Sequence, residues 1–157
     1  MTLGKNHIVV YGKGKAMQSV CDQFAITIDR IVKISHVGVT KAWLRSIDID
    51  ESQINSVLWL LDNYFKIGKE TFADKIHDLI GVEKASPIIA LINSKDTSVL
   101  AGVAWYDDLS AIMQWLDALG TPYEYDVCIV RGHSYYKGMV CERFEKNDIA
   151  IGSLAAW

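Results

Sequence analysis

Apolar positions along the chain follow two periods, and each predicts a different kind of element. Ile54, Val57, Leu58, Leu61 and Phe65 recur at three- and four-residue steps, which puts them on one stripe of a helix. Asp48 with Glu51, and Asp50 with Gln53, precede that stripe at capping-box spacing. Trp59 falls off the stripe, free for a covering element or a partner. A second helix is expected from Glu70 to Ile80, with Phe72, Ile76, Leu79 and Ile80 inward and Gly81 as its stop. A third follows Asp107-Asp108, with Leu109, Ile112, Met113, Leu116 and Leu119 inward, closed by Gly120.

Runs rich in β-branched residues read as strands. His7 to Tyr11 is a short apolar run, and Ala25 to Lys41 reads as one bent strand or two. Val32, Ile34, His36, Gly38 and Thr40 share one parity there, hence one face. Pro87 to Ile92 and Val99 to Tyr106 are read as two further strands around a polar turn. Tyr123 to Phe144 reads as a C-terminal β-hairpin reversing between Ser134 and Tyr135. That register sets Asp126 opposite Arg143, Ile129 opposite Val140 and Cys128 opposite Cys141, pairings an antiparallel ladder favours. A short helix over 139–146 is the alternative. The apolar tail from Asp148 to Trp157 is expected to dock as an edge strand or to pack on the body. The pattern as a whole predicts an α/β fold: one domain over 1–157, a mixed but largely antiparallel sheet of about five to seven strands, and three or four helices.

Composition alters this picture little. With 157 residues, half of them apolar, the chain can bury a core without staples. No apolar run approaches the roughly 20 residues that span a bilayer, and no signal peptide is evident, so a cytoplasmic protein away from membranes is expected. Three cysteines without C-x-x-C spacing fit thiols, and the scattered histidines form no metal pattern. Neither a metal nor a cofactor is expected. Charge adds more. Residues 1–47 carry seven Lys/Arg against two Asp, whereas 48–157 carry nine basic and seventeen acidic groups. The first part suits a nucleotide or nucleic acid and the second a basic protein.

Candidate chemistry gathers at three places. Gly12, Lys13, Gly14 and Lys15 follow a strand and precede a helical pattern, the ingredients of a phosphate cradle. Met17, however, stands where the dinucleotide fingerprint needs a small residue. His36 lies on a strand near Thr40 and Lys41, as a catalytic imidazole or a half-buried one satisfied by a single hydrogen bond. The loop after Val130 holds Arg131, His133, Tyr135, Tyr136 and Lys137. Gly132-His-Ser134 begins a nucleophile elbow, but Tyr136 replaces its second glycine. Two functions are therefore expected in competition. The first is a binding protein, an inhibitor or immunity-type antagonist of a basic protein such as a nuclease, using Trp59 and the 131–137 residues in protein–protein interaction. The second is a small metal-independent enzyme on a phosphodiester or nucleotide, with His36 and His133 exchanging protons and Lys137 steadying charge. Whether the protein is an enzyme at all stays open on the sequence alone.

Overall fold

The computed structural model describes the backbone of residues 9–10, 30–130, 138–145 and 150–155, and the side chains of 32–130 and 138–142. Strand β1 (Val9–Val10) is followed by β2 (Arg30–His36). Six helices come next: α1 (Val37–Ser46), α2 (Glu51–Asp62), α3 (Tyr64–Ile67), α4 (Lys69–Ile80), α5 (Val82–Ser94) and, after a 3-10 turn at Thr97–Leu100, α6 (Tyr106–Ala118). Strands β3 (Tyr123–Tyr125), β4 (Met139–Glu145) and β5 (Ala150–Ala155) close the chain. The sheet order is β1-β5-β4-β2-β3.

This overturns the expected α/β fold of a largely antiparallel sheet of about five to seven strands carrying three or four helices. Helix predominates among the described residues, and the described, buried sheet face is three strands wide, from β2, β3 and β4. Nor is the sheet largely antiparallel. β2 pairs with β3 in parallel and β1 with β5 in parallel, while β4 runs antiparallel to both β2 and β5.

Three misreadings account for the difference. Pro87 to Ile92 lies inside α5, where Ala85, Ile88, Leu91 and Ile92 turn inward. A short apolar run has no decisive period, and the proline that opens this one mimics a strand start. Val99 to Tyr106 is not a strand either: Asp96 caps the 3-10 turn by accepting from Ser98 N at 2.9 Å, and Gly102 and Trp105 take positive φ. The strand expected through Lys41 stops at His36, and Gly38 and Thr40 belong to α1.

The C-terminal hairpin is also corrected, because β2 lies between its two supposed arms. Cys141 faces Ile34 and Tyr125 also registers with Ile34, on the other side of the strand. Cys128 and Cys141 are buried, outside any disulfide, and do not face each other across a ladder. Residues 139–145 are nevertheless a strand, not a helix. The tail strand β5 is flanked on both sides by β4 and β1, so it is interior and not an edge.

The helical expectations survive with adjustments, among them that Leu119, expected inward, caps the end of α6 and is exposed. Asp50, not Asp48, caps α2, accepting from Ser52 N at 2.8 Å. Gln53 does not reach back to complete a capping box; its amide donates to Leu79 O at 2.8 Å and ties α2 to α4. Phe72 and Ile76 of α4 are buried, but Phe65 belongs to α3 and is half exposed. The core joins Val32 and Ile34 of β2 to Trp43, Leu44, Leu58, Leu61, Phe72, Ile88 and Leu109 of the helices. The β2-to-β3 connection is helical because parallel neighbours need a long crossover.

Candidate functional site

Strand β2 has two chemically different faces. Val32 and Ile34 join the core, while Lys33 and Ser35, of opposite parity, meet polar groups. Lys33 is only 4% exposed, and its ammonium lies 3.6 Å from Asp126 Oδ2, 3.8 Å from Glu124 Oε1 and 5.1 Å from the Phe65 ring centroid. Lys95, at the end of α5, also pairs with Glu124. The register makes this meeting possible, since Lys33 stands directly across from Glu124 on the parallel strand. Burying a lysine costs several kcal/mol unless it is paired, so the carboxylates and the ring are what keep it there.

Asp126 does more than balance charge. Its N–H donates to Ile34 O at 2.9 Å, its Oδ1 accepts from Cys128 N at 2.9 Å, and its carbonyl accepts from Ile129 N at 3.1 Å. Ser35 Oγ donates to Ile129 O. Beyond residues 131–137, Gly138 O accepts from Val37 N at 3.0 Å. The two flanks of 131–137 are thus fastened to β2 and α1 at Ser35 and Val37, one residue on either side of His36.

His36 itself is 3% exposed and caps α1, with Nδ1 accepting from Val39 N at 3.2 Å and its carbonyl accepting from Thr40 Oγ1 at 3.1 Å. Nδ1 therefore carries no proton. Burial holds the imidazole below its ordinary value, against the opposing pull of Asp108 and of its own backbone. Tyr125 is buried, and among the described residues its hydroxyl makes no well-formed hydrogen bond, Thr40 being the polar side chain beside it. Burial pushes the phenol up, with Thr40 acting in the opposite direction.

The other expected site residues fall elsewhere. Trp59 is 53% exposed and lines an open groove of about 390 Å³ between α2 and α4, with Asn55, Ser56, Leu60, Lys75 and Leu79. Gly12, Lys13, Gly14 and Lys15 lie outside the described residues, as do Arg131, His133, Tyr135, Tyr136 and Lys137. Among the described residues no three His, Cys, Asp or Glu side chains are placed to hold a metal. Nor is any described helix long and apolar enough to cross a membrane. Sequence reasoning missed the Lys33–Glu124–Asp126–Lys95 cluster. A signal existed: lysine inside Ile-Val-Lys-Ile and aspartate before Val-Cys-Ile-Val interrupt otherwise apolar runs.

Comparison with known proteins places this arrangement first in a fold class. The structure resembles that of histidyl-tRNA synthetase from Nostoc sp. PCC 7120, with a TM-score of 0.64 and 22% identity over 82% of this chain and 34% of that one. An ATP phosphoribosyltransferase regulatory subunit/histidyl-tRNA synthetase from Bacillus halodurans C gives 0.59 at 17% identity, over 83% of this chain and 37% of that one. A chain of the HisG:HisZ ATP phosphoribosyl transferase complex from Thermotoga maritima gives 0.57 at 20% identity, over 83% and 48%. At such identities the likeness is one of fold. Sequence relatives are the histidine–tRNA ligases of Clostridium acetobutylicum, 28% identical over 140 residues, and of Treponema denticola, 27% over 143. These cover 79% and 80% of this chain, and the chain spans about a third of each ligase, 32%. No family model matches the chain. Both functions expected from the sequence are corrected by these likenesses. They fall on histidyl-tRNA synthetases and a chain of the HisG:HisZ complex, in place of the expected inhibitor or immunity-type antagonist and of the phosphodiester enzyme built on His36 and His133.

Proposed function

We propose that this chain is a histidyl-tRNA synthetase-like, HisZ-type domain that recognises histidine and works together with a protein partner. The observation that carries the reading is the 28% identity to the Clostridium acetobutylicum ligase, sustained over 140 residues. A ligase of that name handles histidine, and the chain spans only a third of it. Recognition of the amino acid is accordingly assigned to this chain, and complete aminoacylation is not. Arg131, Tyr135 and Tyr136 supply the guanidinium and phenols that suit a carboxylate and an imidazole, with His133 and Lys137 beside them in sequence. The residues flanking this segment hydrogen-bond to Ser35 and Val37. A protein partner is in keeping with the HisG:HisZ complex, and the basic 1–47 region is suited to a tRNA or nucleotide phosphate.

Thermal unfolding with L-histidine tests the reading, against L-glutamine and L-arginine as controls. Histidine at 100 times its Kd stabilises a fold by about 2.7 kcal/mol, a rise in Tm of several degrees. Arg131→Ala is expected to remove at least nine-tenths of that affinity. Equal shifts with all three amino acids, or no shift at millimolar histidine, would sink the assignment.

A further inference from the structure

The stretch from Asp96 to Val130 contains no Lys, Arg or His, yet holds Asp96, Asp107, Asp108, Asp117, Glu124 and Asp126. It also carries four of the seven large apolar side chains that are most exposed among the described residues: Val99 at 52%, Trp105 at 59%, Trp115 at 50% and Leu119 at 43%. Helix α6 organises part of this surface. Leu109 and Leu116 turn its inner side into the core. On the opposite side, at about 100° per residue, Ala111, Trp115, Ala118 and Leu119 share one exposed stripe. Asp107 and Asp108 stand on the same side, one turn before Ala111, and are exposed. Asp117 flanks the stripe, 3.4 Å from the Tyr123 hydroxyl that donates to it.

From this surface we infer that the outer face of α6 is a docking site for a basic amphipathic helix of a partner protein. The charge complementarity is one-sided: aspartates rim the stripe, and α6 has no basic residue to neutralise them. The shape suits a helix, because small residues at 111 and 118 let a second axis approach to about 8–10 Å. Trp115 and Leu119, one turn apart, offer the large apolar anchors on which helix-in-groove recognition depends. The 13 residues of α6 give a face about 20 Å long, room for three turns of partner. Asp107 and Asp108 also favour the N-terminal end of their own helix, but that role needs neither Trp115 nor Leu119 in water. The site is distinct from the histidine reading, and either can fail without the other.

The test uses the full chain and a 14-residue Leu/Lys amphipathic peptide, with a Leu/Glu peptide of the same pattern as control, measured by titration calorimetry. The Leu/Lys peptide is expected to bind, and Trp115→Ala with Leu119→Ala to weaken it at least tenfold. Asp107→Asn with Asp108→Asn should weaken it and flatten its salt dependence. Val82→Ala, exposed at a different place, should leave it unchanged. Melting curves confirm that the variants fold. Several results would overturn the site: no binding of the Leu/Lys peptide, equal binding of the Leu/Glu peptide, or undiminished binding by the Trp115/Leu119 variant. Concentration-dependent self-association lost in that variant would also overturn it, by showing a second copy on the face instead.

Discussion

His36 shows how one residue type can be foreseen while its task is misjudged. Strand parity placed the imidazole among aliphatic neighbours, and it is buried there. Its hydrogen bond, however, is with the first turn of the next helix, and parity cannot reveal a helix starting at Val37. Protonation would turn Nδ1 from an acceptor into a donor and break the cap. Because burial lowers the folded-state pKa relative to the ordinary 6.5, the folded state binds fewer protons. Stability is then full above about 6.5 and is lost as pH falls from there through the folded pKa. Chemical denaturation between pH 7.5 and 5 should show this fall, and His36→Asn, which keeps a side-chain acceptor, should flatten it. His36→Ala should cost about 1 kcal/mol at pH 7.5. Lys33 and Asp126 carry a related lesson. Asp126 was expected opposite Arg143 and Lys33 had no assigned role; the parallel register of β2 and β3 brings them together.

At the scale of elements, legibility followed length and period. α2, α4 and α6 have stripes long enough to decide between helix and strand, and their existence was plain. α5 was not, since its apolar run is short and contains Pro87. The α3–α4 and α4–α5 junctions turn on single residues. Gly68 and Gly81 have φ 83° with ψ 160° and 158°, a region that is essentially closed to side chains. Gly81 was legible as a stop, but not as the simultaneous start of α5. At both glycines an added Cβ would meet nothing within 4 Å, so strain alone sets the cost of replacing them. Gly81→Ala should therefore destabilise the protein by about 1–3 kcal/mol, read as a lower urea midpoint with unchanged slope.

For the whole molecule, strand pairing was the least legible property. Facing side chains in the supposed hairpin were complementary, but complementarity between two strands does not exclude a third between them. Nothing local in Tyr123–Tyr125 says that it pairs in parallel with a strand more than eighty residues earlier. Such a sheet also buries its thiols. Cys128 and Cys141 are 3% and 5% exposed, and burial, reinforced by Asp126, pushes the Cys128 thiol up. Both should resist an aromatic disulfide reagent until denaturant unfolds the domain, whereas a looser sheet would label them at once. Peptide mapping assigns each modified cysteine. The same pairing of β2 with β3 has an evolutionary and practical side. Residues 37–122 leave the sheet at His36 and return at Tyr123, to a strand only about 4.8 Å away. The helical block is thus an excursion whose entrance and exit lie side by side. Such a block can be shortened, enlarged or exchanged for another of its kind while the strands keep their order, provided a crossover of a dozen or so residues remains.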